Sequence, residues 1–390
     1  MRIVHYLPRI LLAEGGVVRA VLDVCAVMAG RGHEVVLLTH DATDAPSDWT
    51  SGKRNSVTLH VGPAPALPMG LFSKSQLAAM RPVIDRSDIV HLHTPWERAN
   101  VQLAGLARAA RRPYVVTIHG MLDEWCMKQR GLKKRLYLQV AGRRLLNRAS
   151  AVHCTADAER EQASAWFDSR RAKVIPLVFD LSPFQTLPGP GAARSRYNIS
   201  SEEVPIVLFL GRLHPKKGVE ALIEAATILH QRNVGSLTLI AGTGDSVYEA
   251  SLRTLIDNRG LVERVRLLGM VTGVEKVSLL QLADIFVLPT SQENFGLVIP
   301  EALACETPVI TTRGVDIWPT IEQARCATIV HPLTPATLAD EITELIRNEQ
   351  VRYEMGRAGR EWVFSALDPD TIAAQYEVMY EQANRAMSGR

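Results

Sequence analysis

Two carboxylates bracket a glycine-containing loop in the second half of the chain. They are Glu293 and Glu301, at the two ends of the run E-N-F-G-L-V-I-P-E. Pro300 is a favourable first residue for a helix, so Glu301 is expected in a first helical turn, where the helix dipole favours its negative charge. A carboxylate placed there can accept hydrogen bonds from a diol. The alternative interpretation is a helix-start carboxylate and a loop residue with no ligand.

A basic turn, G-R-L-H-P-K-K-G at residues 211–218, follows another β-branched run. Arg212 and Lys217 would place two cations beside a helix N-terminus, which suits a pyrophosphate, and a solvated basic turn is the alternative. Gly242-Thr243-Gly244 follows the next such run. It lacks the third glycine of a dinucleotide-binding fingerprint, so hydride transfer is not indicated.

The first half offers two further turns. Gly15-Gly16 precedes a helical pattern, and paired glycines let a phosphate approach backbone N–H groups at a helix N-terminus. A plain tight turn is the alternative. His119 ends a β-branched run and is followed by Gly120. A lone histidine is more often structural, but ligands gather at the carboxyl ends of strands in open α/β sheets.

Short β-branched runs and amphipathic stretches alternate along the chain, which predicts two parallel sheets, each covered by helices on both faces. Helical patterns include 19–31, 219–231, 248–259 and 372–386. The predicted strands are 3–7, 35–39, 57–61, 89–93, 114–119, 151–154, 206–210, 237–241, 265–268, 285–288, 309–312 and 328–330.

The length of 390 residues, 47% of them hydrophobic, is enough for two cores. The Pro- and Gly-rich run QTLPGPGAARSR predicts a linker between them. We therefore expect a first domain over 1–184, a linker over 185–197, a second domain over 198–360 and a helical tail over 361–390.

Taken together and in order, these motifs resemble the retaining glycosyltransferases of family 4. The resemblance covers nearly the whole chain, including A-L-A-C-x-T-P-V-I at 302–310. It implies the GT-B fold, in which two Rossmann-like domains face each other across a cleft and a C-terminal helix returns to the first. Glu306 and Cys326-Ala327 depart from the family pattern, because a glycine is usual there; we expect the turn at Glu306 to have another geometry.

The resemblance also implies a role for each matched residue. Arg212 and Lys217 would hold the donor diphosphate and stabilise the charge that develops on it. Glu301 would bind the nucleotide ribose, Glu293 a hydroxyl of the donor sugar, and His119 would line the donor-sugar pocket. The remaining donor-binding residues would be Gly15, Gly16, Gly242, Asn294, Phe295, Gly296, Leu297 and Val298.

The expected activity is that of a retaining hexosyltransferase. It would move a sugar from a UDP- or GDP-linked donor to a glycan or lipid-linked acceptor, in cell-surface polysaccharide or glycoconjugate synthesis. The alternatives are another enzyme of this fold, such as a sugar-nucleotide epimerase, and a non-catalytic nucleotide-sugar-binding protein. No cofactor is expected and no metal, because the single D-x-D, Asp368-Pro369-Asp370, looks like a helix-start turn, and Arg212 and Lys217 can replace the cation.

Basic charge is concentrated in the first half, where residues 1–185 carry 25 Lys and Arg against 16 Asp and Glu. The stretch 125–156 has no acidic residue and alternates basic residues with leucines at helical spacing. Such a helix is typical of proteins that bind an anionic membrane surface or an acidic acceptor. The alternative is a helix that packs on the core and leaves its basic face in solvent. Few aromatic residues argue against nucleic acid. The basic residues are Lys128, Arg130, Lys133, Lys134, Arg135, Arg143, Arg144 and Arg148.

The five cysteines are widely spaced and form no C-x-x-C, which argues against a disulfide framework or a zinc cluster. No apolar run approaches the length needed to cross a bilayer. The expected location is therefore the cytoplasm, with peripheral attachment to the cytoplasmic face of the membrane through residues 128–148.

Overall fold

The computed structural model describes residues 1–50, 56–129, 131–200 and 204–388. The chain forms two compact units. Met1–Phe179 and Pro369–Arg390 make the first, and Asp180–Asp368 make the second. Each unit is built around its own parallel β-sheet. Strands such as Ile89–His93 and Leu237–Ala241 are buried along their whole length, so helices and loops cover both faces of each sheet.

The sheet of the first unit has seven strands in the order β3-β2-β1-β4-β5-β6-β7. Its strands are β1 Arg2–Tyr6, β2 Glu34–Thr39, β3 Thr58–Val61, β4 Ile89–His93, β5 Tyr114–Thr117, β6 Ala151–Cys154 and β7 Ala172–Val174. Its helices are α1 Gly16–Gly30, α2 Ser47–Thr50, α3 Lys74–Asp85, α4 Arg98–Ala109, α5 Glu124–Lys128, α6 Gly131–Tyr137, α7 Arg143–Arg148, α8 Asp157–Ala163 and, from the end of the chain, α18 Pro369–Ser388.

The sheet of the second unit has six strands in the order β10-β9-β8-β11-β12-β13. Its strands are β8 Ile206–Leu210, β9 Leu237–Ala241, β10 Val265–Gly269, β11 Ile285–Leu288, β12 Val309–Thr312 and β13 Ala327–Val330. Its helices are α9 Ser182–Gln185, α10 Gly191–Arg196, α11 Val219–Gln231, α12 Ser246–Asn258, α13 Gly273–Leu282, α14 Val298–Ala304, α15 Trp318–Gln323, α16 Pro335–Arg347 and α17 Glu349–Ala366.

The predicted strands are all present, and the structure adds β7. That strand is a three-residue edge strand, Ala-Lys-Val, with Lys173 exposed, so its sequence pattern is too short to stand out. β5 ends at Thr117, two residues before the predicted end at His119. The backbone turns there, because His119 has a φ of 50°.

The expected linker, 185–197, contains α10, which packs on α13 in the second unit. Ala193 is fully buried, and its backbone N–H donates to Ser278 Oγ at 3.0 Å. Tyr197 donates to Glu275 at 2.6 Å. The small residues of this segment therefore serve close helix packing as well as flexibility. At the other end, α17 belongs to the second unit and the chain passes to the first at Pro369, not at 361.

Glu306, where the family has a glycine, itself adopts the left-handed conformation with a φ of 63°. The expectation of another turn geometry is therefore wrong, because the turn keeps the conformation that a glycine would give it. The carboxylate lies 3.6 Å from Arg360 of α17, and a Cβ at Gly356 would lie 2.1 Å from the Glu306 carbonyl oxygen. The turn is thus held by its packing against α17.

The remaining expectations about the whole chain concern cysteines and membrane spans. All five cysteines are free thiols. The short run Asp368-Pro369-Asp370 forms the start of α18, as predicted. Among the described residues, no helix combines the length and the apolar character that crossing a bilayer requires.

Candidate active site

Three loops meet beyond the carboxyl ends of β8, β9 and β11 in the second unit. Leu213 N–H donates to the Thr243 carbonyl at 2.9 Å, which joins the basic turn to the G-T-G turn. Ser291 N–H donates to the Lys216 carbonyl at 2.8 Å, which joins the basic turn to the loop after β11. The three motifs that the sequence singled out in this half are therefore parts of one site.

Lys217 and Glu293, 76 residues apart in sequence, form an ion pair through Nζ and Oε2. Both side chains are largely buried. Burial, followed by the charges of Lys216 and Arg212, lowers the pKa of Lys217 to about 7, while the contact with the Glu293 carboxylate favours the charged amine. The ammonium group is thus a poorly hydrated cation facing one carboxylate.

The two neighbouring cations differ in their surroundings. Lys216 Nζ donates to Gln292 Oε1 at 3.0 Å. Arg212 is exposed, and it makes no hydrogen bond or ion pair with any residue that the structure describes. Its planar guanidinium is therefore available for bidentate hydrogen bonds to an anionic group such as a phosphate.

Backbone hydrogen bonds hold the loop 293–297 in place. Glu293 N–H donates to the Gly314 carbonyl at 2.7 Å, and Asp316 N–H lies 3.1 Å from the carbonyls of both Glu293 and Asn294. Gly296 has a φ of 66°, and Phe295 is buried beneath it. This geometry leads the chain directly into α14, whose first N–H groups have no partner within the helix.

Glu301 lies in the first turn of α14, as predicted, but the helix begins at Val298, not at Pro300. Proline is tolerated here because its missing N–H falls among the unpaired groups of the first turn. The carboxylate accepts from Lys276 Nζ of α13 at 2.6 Å. Sequence reasoning missed Lys276, because a single lysine on an amphipathic helix carries no distinguishing signal.

Two glycines allow the loops of the second unit to approach each other. A Cβ at Gly242, which has a φ of 131°, would lie 1.9 Å from the Gly211 carbonyl oxygen. One at Gly218, with a φ of 71°, would lie 2.1 Å from the Pro289 carbonyl oxygen. Both positions therefore exclude any side chain by packing alone, whether or not a ligand is bound.

In the first unit, Gly15 and Gly16 form the start of α1. Gly15 precedes the helix with a φ of 101°, and a Cβ there would meet nothing within 4 Å. Its constraint is therefore conformational rather than steric. Beside it, Arg9 and Glu14 form an ion pair at 2.6 Å.

His119 is held in a left-handed turn with Gly120, and its ring is 8% exposed. Gly120 N–H donates to Glu159, which also accepts from the N–H and hydroxyl of Thr155. Burial raises the pKa of Glu159 to about 7 against these hydrogen bonds. Burial, followed by His153, lowers the pKa of His119 to about 3, so this imidazole is neutral. The anchoring carboxylate Glu159 was not anticipated from the sequence.

Beneath His119 lies a layer of buried histidines on one face of the sheet. Ring nitrogens of His5, His91 and His93 lie within 4.8 Å of one another, close enough to share a metal ion. Among the described residues, the side chains outside this cluster that hydrogen-bond to these rings are neutral: Thr117, Tyr380 and His119. A buried divalent cation would therefore lack a compensating charge. The H-x-H spacing of β4, which puts two rings on one face, was the signal available in the sequence.

A cavity of about 410 Å³ lies at the same end of the first unit. Both apolar and polar side chains line it, a combination common in small-molecule sites. None of its lining residues was among the site residues predicted from the sequence. The polar side chains that line it are Arg9, Glu14, His40, Thr94 and Glu97.

The basic stretch is divided into α5, α6, a π-helical turn over Leu138–Gly142, and α7. Arg130, one of its predicted basic residues, lies outside the described residues. Leu138, Leu145 and Leu146 are buried in the core. A second apolar row faces solvent instead: Leu132 is 86% exposed, Leu136 62% and Val140 73%.

Comparisons with known proteins agree with this architecture. The chain matches the family described as glycosyl transferases group 1 over residues 194–362, and the glycosyl transferase 4-like domain over residues 15–177. The GDP-mannose-dependent alpha-(1-6)-phosphatidylinositol monomannoside mannosyltransferase of Mycobacterium tuberculosis is 30% identical over 312 residues, 76% of this chain and 77% of that protein.

Two further comparisons cover almost the whole chain. The phosphatidyl-myo-inositol mannosyltransferase of Mycobacterium leprae is 28% identical over 388 residues, 98% of this chain and 96% of that protein. The crystal structure of Anabaena HepE in complex with UDP superposes with a TM-score of 0.79 at 22% identity, over 98% of this chain and 100% of that one. This last similarity is one of fold, which is the GT-B fold of two Rossmann-like domains.

Proposed function

Because the chain belongs to the group 1 glycosyltransferases, we propose that it transfers a hexose from a nucleotide sugar with retention of configuration and without a metal ion. The observation that carries this proposal is the convergence of Lys217 and Glu293 in one largely buried ion pair, in a site that also contains the exposed guanidinium of Arg212. Cations for a diphosphate and a carboxylate for a sugar hydroxyl are thus adjacent.

The ion pair between Lys217 and Glu293 is the arrangement of the site before a donor binds. When a donor binds, its diphosphate offers Lys217 a new anionic partner, and a sugar hydroxyl offers Glu293 a new donor. Arg212 adds a second, bidentate contact to the phosphates. Both cations stabilise the negative charge that grows on the diphosphate as the glycosidic bond breaks. Lys217 is already positioned and poorly hydrated, so little reorganisation is needed at that cation.

The nucleotide end of the donor is bound by α14. Glu301, steadied by Lys276 at 2.6 Å, accepts hydrogen bonds from the ribose diol. The backbone N–H of Val298, at the start of α14, faces the phosphate or sugar. Asn294, Phe295, Gly296 and Leu297 shape this loop, and the resemblance assigns the diphosphate to Gly15 and Gly16 and the donor sugar to His119.

Retention follows from what the site offers as a nucleophile. In the donor complex proposed above, Glu293 accepts a hydrogen bond from a hydroxyl of the donor sugar, so this carboxylate is not the nucleophile that attacks the anomeric carbon. We therefore infer front-side attack, in which the departing phosphate accepts the proton of the acceptor hydroxyl.

The acceptor binds in the cavity of the first unit, where Arg9, Glu97 and His40 offer both donors and acceptors to a polyol. The relatives named above act on GDP-mannose or on inositol lipids. We therefore infer that a mannosyl donor and a lipid-linked polyol are the first substrates to test, with a role in cell-surface glycan or glycoconjugate synthesis.

Chelation tests the metal-independent part of this proposal. With Arg212 and Lys217 supplying the positive charge, transfer from UDP- or GDP-hexoses to a lipid-linked acceptor should proceed at an unchanged rate in excess EDTA. The assay is product formation with and without chelator, with EDTA plus excess Mg²⁺ as the control. Loss of transfer in EDTA that Mg²⁺ or Mn²⁺ restores would contradict it.

We further propose that the exposed row Leu132, Leu136 and Val140 inserts into an anionic membrane surface. Its members are four residues apart, so they form one stripe of α6 and the π-helical turn. Lys133, Arg135, Arg143 and Arg144, in the same stretch of sequence, are also exposed. Each nearby basic residue adds about 1 kcal/mol of attraction to an anionic bilayer, and salt weakens it.

Vesicle sedimentation tests this docking surface. The wild-type protein should sediment with phosphatidylglycerol vesicles at low salt, and changing Leu132, Leu136 and Val140 together to serine should release it. The matched control changes Val247 and Val274 to serine, which are 76% and 67% exposed in the second unit, and should leave sedimentation unaltered. A wild-type protein that stays in the supernatant at low salt would refute the proposal.

A further inference from the structure

Three of the buried histidines form a hydrogen-bonded chain that ends at the candidate site. His5 Nδ1 lies 3.0 Å from His93 Nε2, and His93 Nδ1 lies 3.2 Å from His119 Nε2. His5 and His93 are almost completely buried. Nδ1 of His119 has no hydrogen-bond partner among the described residues. The last ring of the chain therefore has one nitrogen left for a ligand.

All three rings are neutral, because burial lowers each pKa: to about 3 for His5 and His119, and well below 6.5 for His93. A neutral imidazole donates from one nitrogen and accepts at the other. The chain therefore has a single direction. Either every ring donates towards His119, or every ring donates towards His5.

The environment of His5, the ring farthest from His119 in this hydrogen-bonded series, decides between the two directions. Nε2 of His5 is buried and has no hydrogen-bond partner in the part of the chain that the structure describes. If the rings donate towards His5, that atom is a buried N–H without an acceptor, which is rare in proteins; in the other direction it is an unused acceptor, which is better tolerated. The favoured direction runs from His5 Nδ1–H to His93 Nε2, and from His93 Nδ1–H to His119 Nε2.

We propose that His5 and His93 are positioning residues that fix His119 as the tautomer protonated on Nδ1, so that it presents an N–H donor to an oxygen of the substrate. The identity of that oxygen, on the donor sugar, rests on the proposed function, whereas the tautomer does not. The left-handed φ of 50° at His119 is consistent with a side chain held in one orientation at some conformational expense.

A second hydrogen-bonded series of side chains in the same layer, the reference chain, provides an internal comparison for the tautomer assignment. His153 Nε2 lies 2.7 Å from the Ile175 carbonyl, which only accepts, so Nε2 carries the proton. Thr117 then donates to His153 Nδ1 at 2.9 Å and accepts from His91 Nε2 at 2.6 Å. Tyr380 donates to His91 Nδ1 at 2.7 Å. His91 and His153 are thereby fixed as the opposite tautomer.

Imidazole ¹⁵N NMR of the full-length protein, with each histidine assigned by substitution, tests the proposal without any substrate. His5, His93 and His119 should show the proton on Nδ1, and His91 and His153 should show it on Nε2. A proton on Nε2 of His119 would overturn the proposal, and so would a charged His93.

Kinetics test the consequence for the reaction. His93→Leu removes the donor to His119 and should lower kcat about tenfold, the effect of losing one oriented hydrogen bond, with a smaller change in KM. His93→Asn should restore much of the loss, because its amide nitrogen stands the same number of bonds from Cβ as Nδ1. Tyr380→Phe, which disturbs only the reference chain, should leave kcat and the His119 tautomer unchanged. Equal losses in all three variants would overturn the positioning role.

The two kinds of measurement separate the possible failures. Absence of sugar transfer together with a proton on Nδ1 of His119 would contradict the proposed function and leave the tautomer assignment standing. Normal transfer with a proton on Nε2 would contradict the assignment alone.

Discussion

Replacing Lys217 with alanine should lower the kcat of sugar transfer roughly 10²-fold, and by a larger factor than it weakens donor binding. Loss of a contact that is strongest in the transition state corresponds to ~3 kcal/mol, hence the two orders of magnitude. The reason is that Lys217 already has a partner in Glu293 before the donor binds. Exchanging one anion for another adds little to ground-state binding, but the diphosphate gains charge as the bond breaks.

The adjacent lysine provides a matched control. Lys216 belongs to the same turn but donates to Gln292 at 3.0 Å. Lys216→Ala should therefore reduce kcat far less than Lys217→Ala. Because removal of Lys217 leaves the largely buried Glu293 without its cation, the double variant Lys217→Ala/Glu293→Gln shows whether a stranded carboxylate causes the loss. Thermal unfolding of each variant verifies that it is folded.

A Lys217→Ala enzyme with nearly normal turnover would contradict the assignment, and so would one whose whole loss lies in donor affinity. The first result would leave the diphosphate to Arg212 alone. The second would make Lys217 a binding residue with no share in stabilising the transition state.

The strands were predictable because buried parallel strands are continuous β-branched runs. Ile285–Leu288 and Val309–Thr312 were predicted residue for residue. The edge strand Ala172–Val174 was not, because it is short and partly exposed. The helix start before Glu301 was misplaced by two residues, since Pro300 is compatible with more than one position in a first turn.

Contacts between residues that lie far apart in the sequence could not be predicted from it. The resemblance singled out both Lys217 and Glu293, but no local pattern shows that they meet across 76 residues. The same holds for Lys276 and Glu301. At Glu306 the sequence argued for a changed turn, and the packing of α17 keeps the turn as it was. Tertiary contacts overrode the conformational preference there.

The basic stretch shows the same limit in another form. Its leucines predicted an amphipathic helix, but the sequence did not say which of them face the core. Leu138, Leu145 and Leu146 pack inside, while Leu132, Leu136 and Val140 face solvent. The π-helical turn at Leu138–Gly142 shifts the phase between the two rows, and single-sequence periodicity assumes an unshifted helix.

Retention of configuration is the second prediction with a large expected effect, because the anomeric centre of the product is either retained or inverted. In the proposed site the leaving diphosphate is held by Lys217 and Arg212, and the proton of the attacking hydroxyl passes to that phosphate on the same face of the sugar. No inversion takes place, because no group attacks from the opposite face. An inverting enzyme would instead need a general base on that face to activate the acceptor.

The anomeric configuration of the product therefore tests the central claim most directly. An α-linked nucleotide hexose, incubated in EDTA with a lipid-linked polyol, should give a product whose anomeric carbon shows the one-bond ¹³C–¹H coupling of an α-linkage in the NMR spectrum. The reaction without enzyme serves as the blank. A β-linked product would contradict both the front-side mechanism and the roles given to Lys217 and Glu293.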